Sequence, residues 1–394
     1  MRRRLVPALA AVGAWTVCLA GAAPAAVAED ARSQQWYLDA MQAEKIWKVS
    51  TGEGVKVAVV DSGVNSSTAS LRGQVLQGKD LSGAPGSETK DPLGHGTTMA
   101  ELIAGTGRGD GIKGMAPEAE IIPFRTALEG MEGTDKSSTG HKAIRAAADS
   151  DAKIINLSLG GDYFTPDDEA AIKYAARKGK LMFASTGNEA QGKNKRNYPA
   201  AYKEVVGVGA TDEAGKVAKF SNYGQDVTLV APGQDIPRWC DGDFKGYCDG
   251  GEGTSQASAI ASASAALIWS KHPDWTANQV LRVMIDTAAK PKTGKIPSKY
   301  LGYGEVRPRM SVLENEGDPG DPGENPLTGE GGTSESSAPG GASDSKKDNA
   351  ADKVKVEDSA SSDDSSQLWT ILGVGAAVVV LGGGAFAFVR ARRG

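Results

Sequence analysis

At 394 residues and 40% apolar content, the chain has room for one large α/β domain plus appendages. Its formal net charge of −5 supplies no basic footprint and excludes nucleic acid as an expected partner. The chain opens on Arg2, Arg3 and Arg4, an apolar stretch over 5–19, and Ala26-Val27-Ala28 before Glu29-Asp30. A positive n-region, an apolar core and an A-x-A site make residues 1–28 a secretory signal peptide. Cys18 lies inside it and is expected to leave with it. Residues 29–54 form a short extension, and the sequence leaves open whether it wraps the domain or crosses its cleft.

From 55 to 314 strand and helix patterns alternate. Short apolar runs at 55–60, 121–124, 154–157, 181–184, 205–208 and 227–230, bounded by glycine, proline or charge, read as strands buried on both faces. Helices are expected at 95–104, 139–148, 166–178, 255–269 and 277–287. Such alternation argues an α/β fold, a parallel sheet with helices on both faces. In sheets of this kind active residues gather at the carboxyl ends of the strands.

Four residues stand at such places. Asp61 follows the first strand, with Ser62-Gly63 turning the chain behind it. His95, one of only three histidines, opens a helix after Gly94. Asn188 ends the run Ala184-Ser185-Thr186-Gly187-Asn188. Gly253-Thr254 delivers Ser255 to the start of a buried helix, where free N–H groups and the macrodipole favour developing negative charge. Taken singly, these are a turn aspartate, a helix-start histidine, a turn asparagine and a cap serine. Together they divide the work of acyl transfer. Ser255 Oγ attacks a carbonyl, and His95 takes its proton and returns it to the leaving amine. Asp61 holds the imidazole, while the Asn188 amide and the Ser255 N–H form an oxyanion hole.

Cys240 and Cys248 remain after the signal and are expected to pair, closing a short loop that contributes roughly 2.5 kcal/mol. Neither a metal nor a cofactor is expected, since the scattered acidic residues read as solvated surface and form no calcium loop. Residues 315–367 are rich in Gly, Pro, Ser, Asp and Lys and read as a disordered tether. Residues 368–389 are apolar apart from Thr370 and, at about 33 Å as a helix, span a bilayer. Arg390, Arg392 and Arg393 follow in a tail, 390–394, that the positive-inside rule keeps cytoplasmic, leaving the domain outside.

Over about 36–310 the chain resembles the subtilisin family of serine proteases. The resemblance is carried by Val59-Val60-Asp61-Ser62-Gly63, His95-Gly96-Thr97, Asn156-Leu157-Ser158-Leu159-Gly160-Gly161, Gly187-Asn188-Glu189 and Gly253-Thr254-Ser255, in the family's order. Tyr198-Pro199-Ala200 and Phe220-Ser221-Asn222-Tyr223-Gly224 also match. The resemblance implies that Ser158, Leu159 and Gly160, with Ser185, Thr186 and Gly187, line a cleft and pair with an extended peptide by strand addition. Two departures stand out. Gln256-Ala257-Ser258-Ala259 replaces the usual Met-Ala-x-Pro, and the extension is too short for a folding prodomain. A short extension, a cysteine pair, a linker and a terminal membrane helix are similar to the mycosins, anchored subtilases associated with type VII secretion. That likeness implies a single-pass membrane endopeptidase acting on exported proteins or secretion components, with a type VII secretion complex as partner. The related sedolisins carry Glu and Asp where His95 and Asn188 stand here. The competing class is a tethered assembly component with weak or dispensable proteolysis.

Overall fold

The computed structural model describes residues 31–134 and 139–330. Strands β1 (Lys56–Asp61), β2 (Lys79–Asp80), β3 (Glu120–Arg125), β4 (Ile154–Leu157), β5 (Leu181–Ser185), β6 (Val206–Thr211) and β7 (Leu229–Pro232) form one parallel sheet in the order β2-β3-β1-β4-β5-β6-β7. A separate antiparallel hairpin joins β8 (Ile236–Trp239) to β9 (Tyr247–Gly251), and Cys240 and Cys248 are disulfide-bonded across it. The helices are α1 (Trp36–Ala40), α2 (Ala43–Ile46), α3 (His95–Ala104), α4 (Gly140–Ala148), α5 (Pro166–Arg177), α6 (Thr254–Lys271), α7 (Ala277–Thr287) and α8 (Pro308–Val312).

Because side chains alternate along a strand, the sheet feeds two cores. Val57, Val59, Phe183 and Val208 pack with α3 and α6 on one face. Ala58, Val60, Phe124 and Met182 pack with α4 and α5 on the other. Local chemistry sets the ends of the outer helices. Thr165 caps α5 by accepting from the Asp168 N–H, with Pro166 in the first turn, and Thr276 forms a capping box with Gln279 at α7. Helix α6 is buried nearly all round, which marks it as the central helix of its layer.

The extension wraps the domain. Tyr37, Leu38, Ala43 and Ile46 are buried in the core shared by α3 and α6. Buried Gln35 bonds both the N–H (2.9 Å) and the carbonyl (2.7 Å) of Lys113. Trp36 and Trp47 donate their indole N–H groups to the carbonyls of Gln234 and Met115.

The tether begins later than composition suggests. Residues 315–330 pack along α7: Thr276 Oγ1 donates to the Pro322 carbonyl, Arg282 to the Glu324 carbonyl, and Leu327 reaches the core. Short Asx turns at Asp318 and Asp321 fold this stretch locally, each carboxylate accepting from the N–H two residues on. Among the described residues no helix is long and apolar enough to cross a membrane. Residues 1–28, the tether beyond 330, the span 368–389 and the tail 390–394 lie outside the described residues.

Candidate active site

The structure carries β1 one residue further than expected, so that Asp61 is its last residue, fully buried at the carboxyl edge of the sheet. His95 opens α3 and donates from Nδ1 to Asp61 Oδ1 at 2.7 Å. A carboxylate only accepts, so the proton sits on Nδ1 and Nε2 is the unprotonated ring nitrogen. The same oxygen accepts from the N–H of Ser62 at 2.7 Å. His95 is still one-third exposed. Burial works against its imidazolium, but the charge and hydrogen bond of Asp61 outweigh that and hold its pKa above the ordinary histidine value.

A second aspartate, which sequence reasoning passed over, locks the two loops together. Asp91 is buried, and its Oδ1 accepts from Ser62 Oγ and from the N–H groups of Leu93 and Gly94. Its Oδ2 accepts from the N–H and hydroxyl of Thr97. Ser62 Oγ also accepts from the Gly96 N–H, so His95 is flanked on both sides by backbone tied to the Asp61 turn. The available signal was Asp91-Pro92, a turn opener four residues before the histidine.

Ser255 lies in the first turn of α6, where its N–H has no intrahelical acceptor. Its hydroxyl donates to the Ser158 carbonyl at 3.3 Å, and Ser158 Oγ donates back to the Ser255 carbonyl at 2.9 Å. Among the described residues no hydrogen bond joins Ser255 to His95. Ser158 is itself held by Asn156, whose amide donates to Ser158 Oγ and whose Oδ1 accepts from Ser258 and Ser262 of α6. Those serines fix the helix against β4.

Asn188 is exposed, and its orientation is set by chemistry. Its Oδ1 accepts from the Thr254 N–H (2.9 Å) and Thr254 Oγ1 (3.0 Å). An N–H must meet an oxygen, so the amide nitrogen is the free end. Buried Thr254 Oγ1 accepts in turn from the Gly187 N–H at 3.1 Å. Glu189 accepts from the Asn188 N–H and the Asn222 amide, and Asn222 Oδ1 accepts from the Glu189 N–H. Gly187 has φ +102°, and a Cβ there would lie 2.4 Å from the Asn222 amide nitrogen; only glycine fits. Thr254, Glu189 and Asn222 are thus the support of a hydrogen-bond donor placed beside Ser255.

Of the expected cleft wall, Ser158, Ser185, Thr186 and Gly187 are buried, Leu159 is half-buried and Gly160 exposed. Ser185 Oγ donates to the Leu159 carbonyl, joining the two strips. Asn197 donates to the Ser185 carbonyl at 3.0 Å and stands against Gly160, closing the gap between them. Gln256, the departure beside Ser255, is buried with its side chain folded back over Gly253. Among the described residues no group of three or more His, Cys, Asp or Glu is placed to hold a metal ion.

Comparison with known proteins follows the same outline. A family model described as the subtilase family matches residues 52–304. The thermophilic serine proteinase of Bacillus sp. (strain AK1) is 37% identical over 271 residues, which cover 68% of this chain and 64% of that protein. Among solved structures, MycP1 from Mycobacterium smegmatis superposes with a TM-score of 0.62 at 26% identity, covering 73% of this chain and 86% of that one. MycP3 protease from the type VII (ESX-3) secretion system gives 0.60 at 28% identity, covering 71% and 88%.

Proposed function

Because the chain belongs to the subtilase family of serine endopeptidases, we propose that it cleaves peptide bonds with Ser255 as nucleophile, His95 as general base and then acid, and Asp61 as orienter. The observations that support this reading are the Asp61–His95 hydrogen bond and the Asn188 amide anchored to Thr254, beside Ser255 in the first turn of α6. A substrate carbonyl entering beside Ser255 takes the place of the Ser158 interaction. The hydroxyl is then free to turn to His95 Nε2 as it attacks. Negative charge developing on the carbonyl oxygen meets the Asn188 amide and the Ser255 N–H. The buried Asp61 carboxylate stabilises the imidazolium, which protonates the leaving amine. Ser158–Gly160 and Ser185–Gly187 line the acyl half of the peptide, with the Asn197 side chain limiting the depth between them.

The chain is further read as exported by residues 1–28 and held at the membrane by residues 368–389, with the domain outside. Its work there is limited processing of exported proteins or of secretion components. The apolar span followed by arginines supports the anchor, and structural likeness to MycP1 and MycP3 supports a type VII secretion context.

The test treats the full-length chain with a fluorophosphonate beside Ser255→Ala and His95→Ala variants. Labelling of wild type alone, mapped by mass spectrometry to Ser255, is the expected result. A folded chain that does not label leaves the tethered assembly component as the better reading. Thr254→Val is a finer probe. It keeps the shape but strips the hydroxyl that anchors Asn188 and satisfies the Gly187 N–H. Steady-state kinetics should show kcat lower by about tenfold with KM nearly unchanged, because the oxyanion donor is loosened while the binding strips are untouched.

A further inference from the structure

We propose that Arg238 is a specificity-determining residue that receives an acidic side chain of the substrate just beyond the scissile bond; the inference rests on the peptidase reading above. The β8–β9 hairpin is fastened to the His95 side of the site. Thr98 Oγ1 accepts from the Trp239 N–H at 3.0 Å, and Glu101 accepts from Trp239 Nε1 (3.0 Å) and Tyr247 OH (2.8 Å). Gly94, at φ +71°, lies so near that a Cβ on it would stand 2.5 Å from the Asp241 carbonyl oxygen. The Cys240–Cys248 disulfide closes the hairpin beside Arg238, which pairs with Cys248 in the register.

Arg238 is exposed, and its Cδ and Cγ lie 3.1 and 3.3 Å from where a Cβ on Gly251 would stand, four residues before Ser255. Its one hydrogen bond is a donation to the Trp239 carbonyl at 3.3 Å, and it makes no ion pair among the described residues. The carboxylates of its own hairpin do not satisfy it; Asp243 pairs with Lys245 instead. Its charge is near enough to His95 to oppose protonation of the ring. An unpaired guanidinium on a rigid hairpin, beside both His95 and the strand that leads to Ser255, presents a planar fork suited to a carboxylate. The acyl half of the substrate runs along Ser158–Gly160. The other half departs over His95, which protonates its amine, and so passes this hairpin.

The test incubates the full-length chain with a library of natural peptides and reads the cut sites by mass spectrometry. Quenched fluorescent peptides built on the best sequence then carry Glu, Gln or Lys in the first two positions after the cut. Asp and Glu should be enriched there. Glu should exceed Gln by about fivefold in kcat/KM, mostly through KM and less so in about 0.5 M salt, as expected for a solvent-facing pair. Arg238→Gln should erase the difference and Arg238→Glu reverse it in favour of Lys. The melting temperature of each variant reports whether the hairpin stays in place. Absence of an acidic preference in a wild type that labels with fluorophosphonate, or a preference that survives Arg238→Glu, overturns the assignment. A wild type that neither labels nor cuts overturns the peptidase reading, and this one with it.

Discussion

Asp61→Asn should lower kcat/KM roughly 10²- to 10³-fold, as expected when one partner of a buried charge pair is neutralised, without unfolding the chain. The geometry says why the loss comes from charge. Asp61 Oδ1 accepts from His95 Nδ1 and also from the Ser62 N–H, which is an obligatory donor. An asparagine therefore keeps its oxygen in that place and the imidazole keeps its tautomer. What disappears is the negative charge that stabilises the imidazolium during attack. The pH profile carries the signature of that cause. Burial lowers the His95 pKa and Asp61 raises it past the ordinary value; with the charge gone, burial prevails. Since the base must be neutral, the acid limb of kcat/KM should move to lower pH in the variant while its plateau falls. A loss below tenfold, or an acid limb that stays in place, would exclude Asp61 from this role.

The parts of the fold legible in the sequence are those whose burial is periodic. β4 (Ile154–Leu157) and the helices His95–Ala104 and Ala277–Thr287 lie where the apolar pattern and caps place them. β7 lies two residues later than its apolar run, because register with β6 pairs Val208 with Leu229. The hairpin carries no apolar run because only Ile236 and Pro237 along β8 and Gly251 along β9 are buried. The extension is held by single large side chains, Tyr37, Trp36 and Trp47, which have no period to detect. At the candidate site the groups proposed to react stand at glycine-flanked element ends, a pattern one sequence displays. Their supports are not legible there. Asp91, Thr254 and Asn222 act through contacts across up to 67 residues of chain, and one sequence does not display such pairs.

Glu101→Gln should flatten the pH dependence of stability and make the chain more stable than wild type above neutrality. Glu101 is fully buried on α3, between the catalytic helix start and the disulfide hairpin. Burial pushes its pKa up to about 7, against the hydrogen bonds donated by Thr68, Tyr247 and Trp239. No cation pairs with it among the described residues, so nothing nearby restores the charged form. The folded chain thus holds this proton more tightly than the unfolded one, where a glutamate has its ordinary value of 4.5. Stability from this group is complete below that value, falls as pH rises through 7, and is lost above it. The full swing is about 3 kcal/mol, which for a domain of this size corresponds to roughly 6–10 °C in melting temperature. A glutamine keeps an oxygen for Trp239 and Tyr247 and turns an amide to Thr68, without ever charging. Melting curves of the two proteins should therefore nearly coincide at pH 4 and separate progressively up to pH 8. Glu101→Leu, which leaves the indole and phenol donors without acceptors, should be destabilised across the whole range. Parallel wild-type and glutamine curves would mean that Glu101 titrates far from 7. The acid would then stay ionised in the core, held by its three donors alone.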